Sequence, residues 1–196
     1  TYTWNNNVVD GVSFSPSATA TYTAVGVDAN GCINQDSMVV VVNPLPTVNA
    51  GPNYSVCDGQ NITLAANTNG TSVSWNNGVV NGFPFTPTVG STTYTVTATS
   101  GFGCQDTDST VVTVNPLPNI DFSANVTTGC NPVDVFFTNN STNSSLCVWT
   151  IGDGSIINDC GNVSHTFLTA GCFDVTLTIS SIEECVNSMT QTNMIC

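Results

Sequence analysis

The chain has 196 residues with 13 acidic side chains and no lysine or arginine, which gives a formal net charge of −13. Nucleic-acid binding and attraction to anionic lipids both depend on basic side chains, so this composition argues against both partners. Hydrophobic residues make up 40 % of the chain, enough for real cores. No apolar run approaches the roughly 18 residues of a membrane span, so we expect no direct membrane insertion.

Residues 1–46 form a unit whose pattern recurs further along the chain. The matched pairs are Trp4 with Trp75, Tyr22 with Tyr94, Cys32 with Cys104, and Val39–Pro46 with Val111–Pro118. Pro44 and Pro116 set the period, since 116 − 44 = 72. Each unit ends in a β-branched run followed by Asn-Pro-Leu-Pro, and the prolines fix φ and remove sheet donors. The pattern predicts a strand and then a stiff Pro-rich link. We call residues 1–46 module 1, which contains the C-terminal part of a repeat, and residues 47–118 module 2, which is a complete repeat.

Module 2 shows short alternating segments that are interrupted every few residues by Asn, Gly or Pro. The alternation is clear in Asn61–Ala65, Val73–Trp75 and Tyr94–Ala98, and no window has a helical period. Such spacing indicates an antiparallel β-sandwich. Residues 119–196, which we call module 3, alternate in the same way along Phe173–Ile179. The predicted fold class is therefore all-β, with tandem sandwiches joined end to end by the Pro-rich links.

Nine cysteines without a C-x-x-C pair indicate disulfides formed in an oxidising, extracellular compartment. Cys57 precedes the first strand of module 2 and Cys104 follows the Tyr94 strand, so we predict a Cys57–Cys104 bond. By the repeat, the partner of Cys32 is expected before Thr1.

The six cysteines of module 3 allow 15 connectivities. Asp153-Gly154 predicts a two-residue hairpin turn. The residue numbers of directly opposed residues then sum to 307, which places Cys147 opposite Cys160. The strand that returns near Glu184 brings Cys172 opposite Cys196. Cys130 and Cys185 remain as the fourth predicted pair.

Module 3 resembles a PKD domain. The residues that carry the resemblance are Trp149-Thr-Ile-Gly152-Asp153-Gly154, His165-Thr-Phe167 and Gly171-Cys-Phe-Asp-Val-Thr-Leu177. The family signature has Trp-x-Phe-Gly-Asp-Gly, His-x-Tyr and Gly-x-Tyr-x-Val-x-Leu, so the differences here are apolar exchanges. The resemblance implies a structural role for Trp149, Gly152, Asp153, Gly154, His165 and Phe167.

A second resemblance is carried by Cys57-Asp-Gly59, Trp75, Tyr94-Thr-Val96, Gly103-Cys104 and Val114-Asn-Pro116. With these residues, module 2 in full and module 1 in part resemble the Ig-like modules that accompany PKD domains in long surface proteins of gliding Bacteroidota. The resemblance implies a stalk segment of a large cell-surface adhesin, exported by type 9 secretion and used in gliding or attachment. Expected partners are neighbouring repeats of the same chain, surface glycans or other adhesin chains. Two alternatives are an accessory module of a secreted polysaccharide- or protein-degrading enzyme, and a subunit of a non-covalent extracellular filament.

Catalysis has little support in the sequence, since His165 is the only histidine and belongs to the PKD signature. We expect no enzyme activity and no cofactor. Some PKD domains bind calcium, a cation that prefers several carboxylate and carbonyl oxygens. The candidate ligands are Asp106 with Asp108, and Asp153 with Asp159.

Glycan attachment is a separate hypothesis. Asp36-Ser37-Met38 and Asp108-Ser109-Thr110 lie one period apart, since 109 − 37 = 72. Both resemble the sites at which secreted Bacteroidota proteins are O-glycosylated, which implies glycans on Ser37 and Ser109. Glycan binding usually needs exposed aromatic side chains, but Trp4, Trp75 and Trp149 all occupy inward strand positions.

Overall fold

The computed structural model describes residues 1–196, and all of its regular elements are β-strands. Module 1 has a three-stranded antiparallel sheet in the order β1-β2-β3. Its strands are β1 (Tyr2–Trp4), β2 (Ala20–Val27) and β3 (Ile33–Val40). The indole of Trp4 donates to Asp10 at 3.0 Å. No strand pairs with the outer edge of β3.

Module 2 has a four-stranded sheet in the order β5-β11-β10-β8, faced by the short pairs β4–β7 and β6–β9. Its strands are β4 (Val48–Asn49), β5 (Tyr54–Cys57), β6 (Ile62–Thr63), β7 (Asn67–Thr68), β8 (Ser72–Trp75), β9 (Pro84–Phe85), β10 (Gly90–Thr99) and β11 (Gln105–Asn115). Strand β5 runs parallel to β11, whereas the other pairings are antiparallel. The alternation along β10 and β11 turns Tyr94, Val96, Val112 and Val114 into a core with Leu64 and Trp75.

Module 3 packs a sheet in the order β12-β13-β16 against one in the order β15-β14-β17-β18. Its strands are β12 (Phe122–Ala124), β13 (Val133–Asn139), β14 (Leu146–Ile151), β15 (Ile156–Ile157), β16 (Val163–Phe167), β17 (Phe173–Ser180) and β18 (Val186–Ile195). Trp149 is fully buried at the centre, with the ring of Phe122 edge-on at 5.2 Å and Phe137 at 5.7 Å. Large aromatic side chains of this kind dominate the burial energy of a small sandwich.

The predicted all-β class with tandem Ig-like sandwiches is confirmed. The predicted two-residue turn at Asp153-Gly154 is wrong by one residue, because Trp149 pairs with Ile157 and Thr150 with Ile156. The residue numbers of opposed residues therefore sum to 306. The loop has three residues, of which the last is Gly154 at φ 98°. A three-residue hairpin loop commonly ends in such a left-handed glycine. The structure contains no helix long and apolar enough to cross a membrane.

Candidate functional site: the inter-module joint

A disulfide joins modules 2 and 3. Cys57 ends strand β5, and it bonds to Cys185 in the turn between β17 and β18, with a Cα–Cα distance of 5.5 Å. Cys185 is completely buried, and its Sγ lies 4.0 Å from the carbonyl oxygen of Asn115. Cys57 is the neighbour of Asn115 in the parallel β5–β11 ladder. The bond therefore spans the point at which module 2 ends and the link begins.

The predicted Cys57–Cys104 bond is wrong because the two residues lie at opposite ends of module 2. Cys104 precedes the 11-residue strand β11, whereas Cys57 lies beside Asn115 at its far end. At roughly 3.3 Å per residue, the separation along the strand is about 35 Å. A disulfide requires Cα atoms within about 7 Å. Sequence order placed the two cysteines around one sheet, but it did not show which end of the sheet each of them occupies.

The predicted Cys130–Cys185 bond is wrong for the same reason. Cys185 directly precedes β18, and Cys130 lies near the end of that strand, where the amide of Gly129 donates to the carbonyl of Cys196 at 3.2 Å. Cys130 is an exposed free cysteine, as is Cys32, and Cys104 is free and half-buried. The structure does contain the other two expected bonds, Cys147–Cys160 and Cys172–Cys196.

The Pro-rich link between modules 2 and 3 is fixed by the burial of a proline and by hydrogen bonds to module 3. Pro118 is buried, as is Pro46 at the same position of the preceding link. In module 3, the side-chain amide of Asn143 donates to the carbonyl of Pro116 at 3.2 Å, and that of Asn187 donates to the carbonyl of Pro118 at 2.9 Å. With φ fixed by each proline and two carbonyls bonded to module 3, little rotational freedom remains at this joint.

The PKD-signature residues have structural roles. Nε2 of His165 lies 2.6 Å from Asp153 Oδ2, and the imidazole packs edge-on against Phe167 at 4.7 Å. Burial alone would raise the pKa of Asp153, but hydrogen bonds from His165 and Ser155 outweigh it, and the pKa of this carboxyl is lowered. The carboxylate thereby ties the β14–β15 hairpin to β16.

Two further signature residues have other structural roles: Gly152 allows a close backbone approach, and Trp149 makes a hydrogen bond. A Cβ at Gly152 would lie 2.9 Å from the backbone nitrogen of Asp174, so only glycine fits there. The indole of Trp149 donates to the carbonyl of Asp159 at 3.0 Å. In module 2 the equivalent partner is Asn81, which was not among the predicted residues. Its Oδ1 accepts from Trp75 Nε1 at 3.0 Å and from the amide of Ala66 at 2.9 Å. The repeated spacing of six residues in Trp4–Asp10 and Trp75–Asn81 was the available signal.

The four candidate calcium ligands bond to nearby backbone amides. Asp108 accepts from the amide of Ala50 at 2.8 Å, and this bond and one from the amide of Ser109 lower the pKa of Asp108. Asp106, Asp153 and Asp159 each accept from an amide one or two residues ahead. The structure brings no group of three or more His, Cys, Asp or Glu side chains together in a way that could hold a metal ion. Calcium binding at these positions stays a prediction.

Ser37 and Ser109 occupy the same place in their modules. Ser37 pairs with Thr23 in the β2–β3 ladder, and Ser109 pairs with Thr95 in the β10–β11 ladder. Both serines are exposed, so their hydroxyls are open to modification. Glycan binding, in contrast, usually needs exposed aromatic side chains, and Phe83 is one such side chain, with 65 % exposure.

Comparisons with known proteins found one family model and several solved structures that resemble parts of this chain. The family model described as "PKD domain" matches residues 113–196. The first PKD domain of the Vibrio cholerae metalloprotease PrtV is 21 % identical over 39 % of this chain and 93 % of its own, with a TM-score of 0.33. The N-terminal eight Ig domains of DSCAM isoform 1.30.30 are 15 % identical over 89 % of this chain and 31 % of their own, with a TM-score of 0.55. No curated protein matches the chain.

The likeness to the tandem Ig domains shows a shared fold, and the family match covers the C-terminal part of the chain. A PKD-type domain that carries disulfides indicates an extracellular location, because disulfides persist in oxidising compartments. The chain is therefore a disulfide-bonded all-β protein of Ig-like fold, and its residues 113–196 match the PKD-domain family model.

Proposed function

We propose that this chain is a structural stalk segment of a long secreted cell-surface adhesin, which holds a distal adhesive region away from the cell. The observation that carries the proposal is the Cys57–Cys185 disulfide, because it bonds one module to the next. A bond inside a module stabilises only that module. A bond across the link also transmits tension from one module to the next.

The joint supports this mechanical role in a second way. The buried Pro118 and the hydrogen bonds from Asn143 and Asn187 restrict bending, and the Cys57–Cys185 disulfide adds a covalent bond across the same joint. A hinge between domains normally has an exposed, polar linker with few contacts across it. The link between modules 2 and 3 is instead proline-rich, has a buried Pro118, and is crossed by a disulfide and two hydrogen bonds, which suits a segment that must stay extended.

The charge of the chain fits an exposed array. With 13 acidic side chains and no basic ones, neighbouring chains repel each other and no side-chain ion pair between lysine or arginine and a carboxylate can form within or between copies. We assign no catalytic activity to the segment, since its PKD-signature histidine has a packed structural role. Type 9 export, a part in gliding, and glycans on Ser37 and Ser109 belong to the same proposal.

The test is made on native cells with an antibody raised against this chain. We expect the antibody to label intact, unpermeabilised cells. We also expect it to detect, without reduction, a polypeptide of hundreds of kilodaltons that contains further repeats. A parent chain of modest size with one globular catalytic domain would instead favour the accessory module of a secreted enzyme. A mass near 20.4 kDa would favour a filament subunit.

A further inference from the structure

The same five-residue turn occurs once in each module and ends in a cysteine every time. We call residues 28–32, 100–104 and 181–185 the cysteine turns. In each, a side-chain oxygen of the first residue accepts from the amide of the cysteine. The bonds are Cys32 to Asp28 at 2.8 Å, Cys104 to Ser100 at 3.2 Å, and Cys185 to Ser181 at 3.3 Å.

The backbone of the three turns is also the same. The amide of the first residue donates to the carbonyl of the cysteine, and the residue before the cysteine donates back to the first residue. That penultimate residue has a left-handed conformation in every copy, with φ 82° at Gly31, 81° at Gly103 and 63° at Glu184. Three turns with the same hydrogen bonds present their thiols in the same way. One of these thiols, that of Cys185, is already bonded across a joint.

Cys104 faces the preceding link as Cys185 does. Sγ of Cys104 lies 3.9 Å from the carbonyl oxygen of Asn43, and Sγ of Cys185 lies 4.0 Å from that of Asn115. The two asparagines are the same residue of the repeated Asn-Pro-Leu-Pro link. The joint between modules 1 and 2 therefore has the turn, the link and the thiol of the bonded joint, and it lacks only the second cysteine.

The place for that second cysteine is the outer edge of β3. In module 2, β5 occupies this edge of β11 and puts Cys57 beside Asn115. In module 1, β3 is the edge of its sheet, and Met38 and Val39, which belong to this strand, are 56 % and 61 % exposed. Trp4 and Trp75 are 71 residues apart in this part of the repeat, so the counterpart of Cys57 falls ahead of residue 1, since 57 − 71 = −14.

We propose that Cys104 forms a disulfide with a cysteine on a strand that precedes residue 1 and pairs in parallel with β3. The rule is that the strand-end cysteine of each module bonds to the cysteine turn of the following module, so that Cys32 bonds to the module before module 1. This inference rests on the modular array proposed above. Under this rule, no module has a strand-end disulfide of its own, and one disulfide connects each module to the next along the whole array.

The chemistry is an oxidation of two thiols to one disulfide. The two cysteines lose two protons and two electrons to a disulfide donor, such as an oxidised thiol–disulfide oxidoreductase, which is reduced to its dithiol. No other reactant is needed.

The test completes module 1 with the chain's own residues. Trp4 aligns with Trp75, so Thr1 aligns with Ser72, and a second copy of residues 47–71 is fused ahead of Thr1 in the full chain. After oxidative refolding, non-reducing peptide mapping identifies the partner of the grafted cysteine. We expect a bond to Cys104, and the three free thiols of the present chain fall to two, those of Cys32 and Cys130. A graft with serine at the Cys57 position is the control and should leave three thiols.

Two outcomes overturn the inference. A bond from the grafted cysteine to Cys32 would mean that pairing occurs inside a module, and a grafted cysteine that stays reduced would mean that the joint is not built for a disulfide. Because the graft could disturb folding, a second experiment uses the unmodified chain. A peptide of residues 47–71, activated as a mixed disulfide, should react with half-buried Cys104 in preference to exposed Cys32 and Cys130. Reaction in order of exposure would contradict the rule. Neither experiment depends on surface location, so their failure is distinct from failure of the stalk proposal.

Discussion

Cys57 and Cys185 are 128 residues apart in sequence, and their Cα atoms are 5.5 Å apart across the boundary between two β-sandwich modules. The bond closes a loop that contains most of both modules, so it couples their unfolding. Disulfides stabilise folded proteins by about 2–4 kcal/mol, mainly because they restrict the unfolded chain.

The first prediction concerns this coupling. The double variant Cys57→Ser/Cys185→Ser should lower the unfolding free energy by about 2–4 kcal/mol. It should also separate the unfolding transitions of modules 2 and 3 in calorimetry. Cys32→Ser, which changes an exposed free cysteine, is the matched control and should leave the melting profile unchanged. A double variant that melts as the parent does would show that the bond contributes nothing to the joint.

The second prediction concerns Asn81, whose Oδ1 accepts from Trp75 and Ala66. Asn81→Ala removes the acceptor from two part-buried donors, so it should destabilise module 2 by about 1–3 kcal/mol. Asn81→Asp keeps an acceptor oxygen and should cost much less, since Asp10 fills this role for Trp4 in module 1. Urea unfolding of both variants provides the comparison, and equal losses would contradict the hydrogen-bond account.

The third prediction concerns the acid stability of module 3. The pKa of Asp153 is lowered from its ordinary value of 3.8. The unfolded state therefore binds the proton more readily, and the stabilisation is present above about pH 4 and lost as the pH falls through the lower folded pKa. The side chain is part-exposed, so the contribution should be about 0.2–1 kcal/mol.

Asp153→Asn should remove this part of the acid dependence. The measurement is the urea midpoint of unfolding as a function of pH, followed by the fluorescence of the tryptophans. Asp174→Asn serves as a control variant at another module 3 carboxylate, one for which no histidine contact is present. An Asp153→Asn protein that loses stability between pH 5 and 2 as steeply as the parent would contradict the role given to the carboxylate.

The fourth prediction concerns glycans. If Ser37 and Ser109 are modified in the native host, then intact mass spectrometry should show two additions to the chain. Ser37→Ala and Ser109→Ala should each remove one of them, and Ser123→Ala, at a serine outside the repeated Asp-Ser position, should remove none. An unmodified mass for native material would exclude the hypothesis.

Much of this structure could be predicted from local sequence patterns. Alternation along Tyr94–Ala98 and Phe173–Ile179 specifies strands with one buried face, and the PKD-like residues around Trp149 specify the core of module 3. Neighbouring strands of a hairpin have a readable register, which is why Cys172 was matched with Cys196. Local order in the sequence is enough for contacts of this kind.

The joint could not be predicted in the same way, because its two cysteines come from different sheets. Sequence alternation does not show that β5 runs parallel to β11, and this parallel pairing places Cys57 at the module 3 end of its sheet. The spacing of the cysteines contains one further signal. Cys104 lies 11 residues before Asn115, and Cys185 lies 11 residues before Cys196, so the two cysteines occupy equivalent turns. Because Cys57 can bond to only one of them, this equivalence offers Cys185 as an alternative partner to Cys104.

The most direct test of the central claim is single-molecule force extension of the 196-residue chain held at its two ends. In the oxidised protein the Cys57–Cys185 bond carries the tension, so the 128-residue loop stays closed. Complete reduction should therefore lengthen the fully extended chain by about 420–460 Å, at roughly 3.3–3.6 Å per residue.

The control is the same measurement on Cys57→Ser/Cys185→Ser. There, reduction opens only the loops of 13 and 24 residues, which together correspond to a gain of roughly 120–130 Å. The stalk account predicts the larger gain for the parent chain and the smaller one for the variant. A parent chain that gains no more than the variant would show that the modules are not locked together, and it would contradict the account.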